Sequence, residues 1–453
     1  MPMDPKIQLG KLGLFDAKVP RYTSYPTAPH FNRVVGPDHF TRWIKAIPEG
    51  AEVSLYVHVP FCRRLCWFCA CRTQGTQTDA PVVAYLETLK TEIAMLGRNL
   101  PRGVRLSRLH WGGGTPTLLS PGMTDELAGA IRDVAPFTEN TEFSVEIDPN
   151  EIDGPRLDAL AAAGMNRASI GVQDFDEDIQ KSIGRMQGYD ITRWAVDEIR
   201  ARGVASLNAD ILYGLPHQNK ARITESVQKL LSLNPDRVAL YGYAHVPWMA
   251  KRQQMIPSDT LPTPQERLAL FETARRLFLW DNYHEIGIDH FATSTDGLRM
   301  AQKTGRLRRN FQGYTDDTAD VLIGIGASSI SRFPQGYAQN APATGAHTGA
   351  IREGRFSTAR GHVFSAEDKL RSRLIEALMC DFRIDAAEIT DKFGISSAAL
   401  HAMLSEVDHA FEGHLKLDES GLFIPVEARP LTRMIARHFD TYEMNEHGHS
   451  SAI

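Results

Sequence analysis

The chain has 453 residues, 42% hydrophobic and 23% charged, and a formal net charge of −5. That is the make-up of a folded protein with room for a barrel of about 250 residues and further domains, and it offers no overall positive charge for nucleic acid, so an anionic ligand needs a local basic patch. Met1-Pro2-Met3-Asp4 lacks the features of a signal peptide and no apolar run approaches membrane-span length, so a cytoplasmic protein with no membrane span and no nucleic-acid partner is expected.

Residues 1–50 contain proline and aromatics with little periodicity. They are expected to form an arm, with Arg21–Ala28 either packed on the surface or folded over a ligand as a lid. Val53–Val59 is β-branched and alternating, which predicts a strand. Directly after it come four of the five cysteines, Cys62, Cys66, Cys69 and Cys71. They therefore leave the C-terminal end of a strand, where α/β barrels carry their chemistry.

The spacing of the first three is C-x3-C-x2-C, with Phe68 before the third. Thiolates are soft ligands suited to iron–sulfur clusters or zinc. A [4Fe–4S] cube normally takes four cysteines, so a cube held by three keeps one iron open. The plain alternative is structural zinc on all four thiols. Zinc ligand pairs are usually a dozen or more residues apart, and bulky Trp67 and Phe68 would crowd so short a loop. The C-x3-C-x2-C pattern resembles the signature of the radical S-adenosylmethionine (SAM) superfamily, in which the open iron chelates SAM.

Further along, helical spacing at Val82, Leu86, Leu89, Ile93 and Leu96 alternates with strands at Leu106–His110, Thr141–Ile147, Arg167–Val172, Ser206–Leu212 and Arg237–Tyr243. Helices are expected near 123–134, 155–163, 190–202 and 220–232. This alternation predicts a parallel sheet with right-handed crossovers, an open (β/α)6 partial barrel over 51–295. Polar motifs fall at its strand ends: Trp111–Thr117, Glu146-Ile147-Asp148, Gln173-Asp174, Asp210 with Tyr213–Pro216, and Tyr243-Ala244-His245. Thr263-Pro264-Gln265-Glu266 predicts a capped helix start.

Residues 296–364 read as a barrel-flanking segment and linker. Arg306–Tyr314 is basic and aromatic, suited to a carboxylate-rich ligand. Leu322–Ile330 is small and apolar, and 340–364 reads as a loop. From 365 to 445 a mostly helical, substrate-covering domain is expected. It comprises a helix capped by Ser365, helices near 385–393 and 397–407, a hairpin around Asp418–Gly421 and a last helix over 430–441. A frayed tail follows over 446–453. Cys380 reads as a buried small hydrophobe.

Several motifs, namely Arg21–Ala28, Tyr56–Cys62 with the C-x3-C-x2-C-x-C run, His110–Thr117, Gly171–Phe175, Tyr213–Pro216, Ile288–Ala292, Asn310–Tyr314, Tyr337–Asn340 and Cys380–Arg383, together resemble the oxygen-independent coproporphyrinogen III oxidases of the radical SAM superfamily. The resemblance covers nearly the whole chain. It implies an oxidoreductase of haem biosynthesis that turns two propionates of coproporphyrinogen III into the vinyls of protoporphyrinogen IX. One [4Fe–4S] cluster, two SAM molecules, and an unidentified electron donor and acceptor are implied with it.

By the same resemblance Cys62, Cys66 and Cys69 hold the cluster. Tyr56, Gly113 and Glu146 contact the cluster-bound SAM. Phe68, Gly114, Thr115, Gln173, Arg185, Asp210, Ala244 and Ile330 contact the second, and Cys71 is required without ligating. Arg21, Arg308 and Arg309 are candidates for the substrate carboxylates. Ala70-Cys71-Arg72-Thr73 departs from the family's Gly-Cys-Asn-Lys. A monomer is expected, and a related haem chaperone is the alternative function.

Overall fold

The computed structural model describes residues 9–411, 413–443 and 451–452. The chain forms two compact units, each discontinuous in sequence. One comprises Phe31–Leu261 and Asp317–Val363; the other takes residues up to His30, Pro262–Asp316 and Phe364 onward. Sequence alone predicts linear boundaries at 50, 295 and 364. Strand pairing accounts for the difference, because residues beyond 317 return to the first strand of the larger unit.

In that larger unit six strands follow in order: β1 (Glu52–Val59), β2 (Arg105–Gly113), β3 (Phe137–Ile147), β4 (Arg167–Gln173), β5 (Ser206–Tyr213) and β6 (Arg237–Gly242). Each pairs in parallel with the next. Between them lie α1 (Ala80–Gly97), α2 (Pro121–Val134), α3 (Gly154–Ala162), α4 (Tyr189–Ala201) and α5 (Lys220–Leu231). Within one or two residues these are the expected helices, and side-chain N-caps fix where α2, α3 and α5 begin. Asp153 accepts the N–H of Arg156, and Asn219 accepts those of Ala221 and Arg222. Each such cap contributes about 1 kcal/mol.

The strands bury almost all of their apolar side chains, as a sheet covered on both faces requires. Trp111 on β2 and Phe143 on β3 are fully enclosed, with ring centroids 5.0 Å apart. Glu142 on β3 receives Arg108 of β2 at 2.8 Å and Arg167 of β4 at 3.0 Å, tying three strands by charge.

The segment expected to be linker is ordered structure. β7 (Leu322–Ile325) adds in parallel outside β1, and β8 (Ile330–Phe333), β9 (Gly336–Asn340) and β10 (Thr358–Val363) continue antiparallel. Between β9 and β10 runs α6 (Thr344–Arg352), which buries His347, Ala350 and Ile351. Its Gly/Ala/Thr composition imitates a loop, yet small residues let a helix lie close to its neighbours.

Part of the expected arm also belongs here. Pro37–Lys45 is a helix burying Phe40, Trp43 and Ile44, and Phe40 meets Phe333 and Phe356 edge-on at 5.7 and 4.9 Å.

The smaller unit is built on the helices Pro264–Trp280, Ala366–Asp381, Ala386–Phe393 and Ser397–Ala410, with a three-stranded sheet of Arg383–Asp385, Lys416–Asp418 and Gly421–Phe423. Thr263/Glu266 and Ser365/Asp368 form reciprocal capping boxes. The expected last helix is a 3-10 turn over Val426–Leu431 followed by Thr432–Arg437, since Pro430 denies the first segment a regular helical hydrogen bond.

Tyr22 and Tyr25 of the arm are core residues of this unit. Tyr22 donates to Asp440 at 3.0 Å, and Tyr25 receives the Thr441 N–H at 3.2 Å. Most of the expected tail lies outside the described residues; Ser451 pairs with Lys18 in a short bridge.

Candidate functional site

The C-terminal ends of β1 to β6 carry the polar motifs. After β1 the chain turns at Pro60, and Phe61-Cys62 pairs with Gln74-Gly75, closing the cysteine loop at its base. The loop is tied on several sides. Trp67 N–H donates to Ile183 O at 2.9 Å. Gln253 bridges Phe68 O and Ala244 O at 2.8 and 3.0 Å. Arg252 donates to Thr73 Oγ1 at 2.8 Å and to Cys71 O at 3.3 Å.

The glycine run after β2 seats this loop. Thr115 N–H donates to Phe61 O at 2.8 Å, and Gly114 N–H to Val59 O at 2.7 Å. A Cβ on Gly114 would stand 2.6 Å from Phe61 O and 3.0 Å from Cys62 Sγ, so only glycine fits. Gly113 has φ +115 and its N–H donates to Glu146 Oε2 at 3.0 Å.

Glu146, at the end of β3, also faces His110 Nε2 at 3.3 Å. Burial pushes its pKa up, but the hydrogen bond with His110, its charge and the Gly113 N–H outweigh that and leave the carboxyl below its ordinary value. Tyr56 stacks on His110, with ring centroids 5.6 Å apart. His58 Nε2 meets Arg72 O at 3.1 Å and must carry the proton there, so Nδ1 accepts from Tyr56 OH at 3.0 Å.

On the other flank Arg185 donates to Asp148 at 3.2 Å, Gly171 O at 2.9 Å, Gln187 Oε1 at 2.8 Å and Cys66 Sγ at 3.5 Å. Its buried Nε has no partner among the described residues, which leaves a charged donor for a ligand. Gln173 sits at φ +69, a strained setting for a side-chain-bearing residue at the end of β4. Asp210 accepts from Asn208 at 2.8 Å; burial raises its pKa to about 7 despite that bond. Ile330 opens β8, one strand removed from the Tyr56–Gly324 register pair.

The thiols differ. Burial pushes Cys62 up to about 11 and also raises Cys66, which Arg185 opposes. Hydrogen bonds from Cys71 lower Cys69 to about 6. Among the described residues no three His, Cys, Asp or Glu side chains stand close enough to share one metal ion. A [4Fe–4S] cube gives each thiolate its own iron, so the donor set, the glycine cradle at Gly114 and the orphaned Arg185 Nε all fit such a cluster with a charged ligand beside it.

The structure thus brings most of the expected residues to one rim. Asp148, Gln187, Arg252 and Gln253 join them; Arg252 and Gln253 act by side-chain bonds to residues 179 and 185 positions away, and Gln187 by bonds to Arg185, Gly171 and Thr192 that only the folded chain forms. The arginine candidates lie in the smaller unit. There Arg309 faces Asp289 at 3.4 Å and lies over the Tyr314 ring at 4.4 Å. Although burial opposes it, Arg309 holds the Asp289 carboxyl far below its ordinary range. A substrate carboxylate would have to displace Asp289.

Comparison with known proteins agrees with this arrangement. The radical SAM superfamily model matches residues 56–230. The chain is 68% identical over 451 residues to the oxygen-independent coproporphyrinogen III oxidase of Paracoccus denitrificans, covering 100% of both chains. It is 60% identical to that of Cereibacter sphaeroides, covering 96% of this chain and 97% of the relative. The solved coproporphyrinogen III oxidase from Escherichia coli, described as a radical SAM enzyme, superposes with a TM-score of 0.89 at 35% identity, over 94% of this chain and 100% of that one. The chain belongs to the family of oxygen-independent coproporphyrinogen III oxidases within the radical SAM superfamily.

Proposed function

We propose that the protein converts coproporphyrinogen III to protoporphyrinogen IX without oxygen, in haem biosynthesis. Each of two propionates loses a hydrogen atom from the carbon bonded to the ring, β to its carboxylate; the bond to the carboxylate then breaks, releasing CO2 and one electron, and the side chain becomes a vinyl. The observation that carries this reading is 68% identity over the full length to a coproporphyrinogen III oxidase, joined to a rim bearing three cysteines in the radical SAM spacing.

Cys62, Cys66 and Cys69 would each hold one iron of the cluster and leave the fourth open. When bound, the cluster and SAM supply the one-electron cleavage that yields a 5′-deoxyadenosyl radical. Tyr56, Gly113 and Glu146 would hold the SAM on the cluster. The Glu146 charge, kept below its ordinary pKa by His110 and Gly113 N–H despite burial, suits an ammonium group.

Phe68, Gly114, Thr115, Gln173, Arg185, Asp210, Ala244 and Ile330 would line a place for a second SAM, with the free Nε of Arg185 offered to a carboxylate. A neighbouring ammonium would draw the Asp210 proton off. Cys71 donates its backbone N–H to Cys69 Sγ at 3.4 Å, which supports a role beside the cluster rather than on it. No described helix is long and apolar enough to cross a membrane. A cytoplasmic monomer served by separate electron donors and acceptors completes the proposal.

The test is turnover of anaerobically reconstituted protein with SAM, a strong reductant, coproporphyrinogen III and cell extract as a source of acceptor. A tricarboxylic intermediate followed by protoporphyrinogen, with matching CO2 and 5′-deoxyadenosine, supports the reading. An intact cluster with tight haem binding and no SAM cleavage would overturn it in favour of a haem carrier.

A further inference from the structure

Arg185 is held by a side chain that nothing above assigns. Gln187 is 2% exposed, and its Oε1 accepts from Arg185 at 2.8 Å. Its Nε2 donates to Gly171 O at 3.1 Å and to Thr192 Oγ1 at 3.1 Å. With both acceptors on the amine side, the amide has one orientation, so the oxygen must point at the guanidinium.

The backbone of Gln187 is fixed as firmly. Gln180, 3% exposed, accepts its N–H at 2.9 Å and donates to its carbonyl at 2.6 Å. Buried amides with every group satisfied rigidify their surroundings. Arg185 therefore has little freedom about where its charge lies between Cys66 and Asp148.

We propose that Gln187 is a positioning residue for Arg185: its locked amide sets the guanidinium beside Cys66 and so preorganises the place where a SAM carboxylate binds. This rests on the reading of Arg185 as a SAM-facing group. Methionine at 187 would preserve volume and remove both the acceptor and the donors. Held groups of this kind matter because a ligand then finds the charge already in place.

Two measurements test it. SAM binding to the reconstituted full-length protein is measured by equilibrium dialysis for the unmodified protein, Gln187→Met, Arg185→Met and the double variant, with iron content as a control. Gln187→Met is expected to weaken binding roughly tenfold in the unmodified background, and not at all when Arg185 is already replaced, because interacting pairs are non-additive. The same loss in both backgrounds, or none in the first while Arg185→Met does weaken binding, overturns the proposal. A crystal structure of Gln187→Met reads the geometry itself. A guanidinium displaced from Cys66 supports positioning even if Arg185→Met leaves SAM binding intact, in which case only the SAM-facing reading falls. A guanidinium that has not moved overturns the proposal.

Discussion

Glu146→Gln isolates the charge that the rim offers to the amino group of SAM. The carboxylate accepts the Gly113 N–H at 3.0 Å and faces His110 at 3.3 Å, and its lowered pKa keeps it ionised at neutral pH. Glutamine preserves shape and one acceptor oxygen, so the contact to Gly113 can survive; the charge cannot. A hydrogen bond to a charged group contributes about 1.5–3 kcal/mol and a neutral one about 1 kcal/mol. The difference of about 0.5–2 kcal/mol corresponds to a weakening of roughly two- to thirtyfold. Equilibrium dialysis of SAM against anaerobically reconstituted protein measures it, with iron and sulfide content showing that the cluster is intact. A variant with full cluster and affinity within about twofold of the unmodified protein would refute the assignment of Glu146 to the ammonium.

Gly114→Ala places a methyl against Phe61 O and Cys62 Sγ; reconstituted variant should hold markedly less iron while its circular dichroism stays native, and full iron loading would contradict the cradle. Glu142 has its pKa lowered to about 2, because Arg167 and Arg108 outweigh burial. Its stabilisation is present above the ordinary 4.5 and lost as pH falls through 2, so Glu142→Gln should cost about 3 kcal/mol at pH 7 in denaturant unfolding and much less at the acid end of that window. Glu92, fully buried on α1, has the opposite sign: burial raises its pKa from 4.5 to about 7 against hydrogen bonds from Gly326 N–H and Asn340. The folded state then holds a proton that the unfolded state loses, and stability falls as pH rises across that interval. The stability of Glu92→Gln relative to the unmodified protein should therefore rise by about 3 kcal/mol over the same range. A flat difference would show that Glu92 does not titrate there.

The fold was legible wherever local pattern and tertiary need coincide. β1 to β6 are readable from β-branched, strand-like runs that alternate regularly with helical ones, and α2 to α5 from their amphipathic spacing. The stretch 340–364 was not legible: α6 is made of small residues whose helical state depends on packing around His347 and Ile351. The helix at Pro37–Lys45 did carry a signal, Phe40, Trp43 and Ile44 on one face behind a proline at its start, hidden by the irregular sequence around it. At the site, Cys62, Cys66 and Cys69 are readable because cluster chemistry fixes their spacing. Gln187 and Gln253 are not, since each acts through bonds that only the folded chain creates. The basic run at 306–314 misleads for a related reason: Arg309 is matched by Asp289, twenty positions upstream and outside the run itself.

The most direct measurement of the central claim uses coproporphyrinogen III carrying deuterium on the propionate carbons bonded to the ring, β to the carboxylates. The reconstituted protein is given this substrate with unlabelled SAM under anaerobic reduction, and the 5′-deoxyadenosine is analysed by mass spectrometry. Transfer of one deuterium into 5′-deoxyadenosine for each CO2 released is the predicted result. Unlabelled 5′-deoxyadenosine accompanying decarboxylation, or label transfer without CO2, would contradict it.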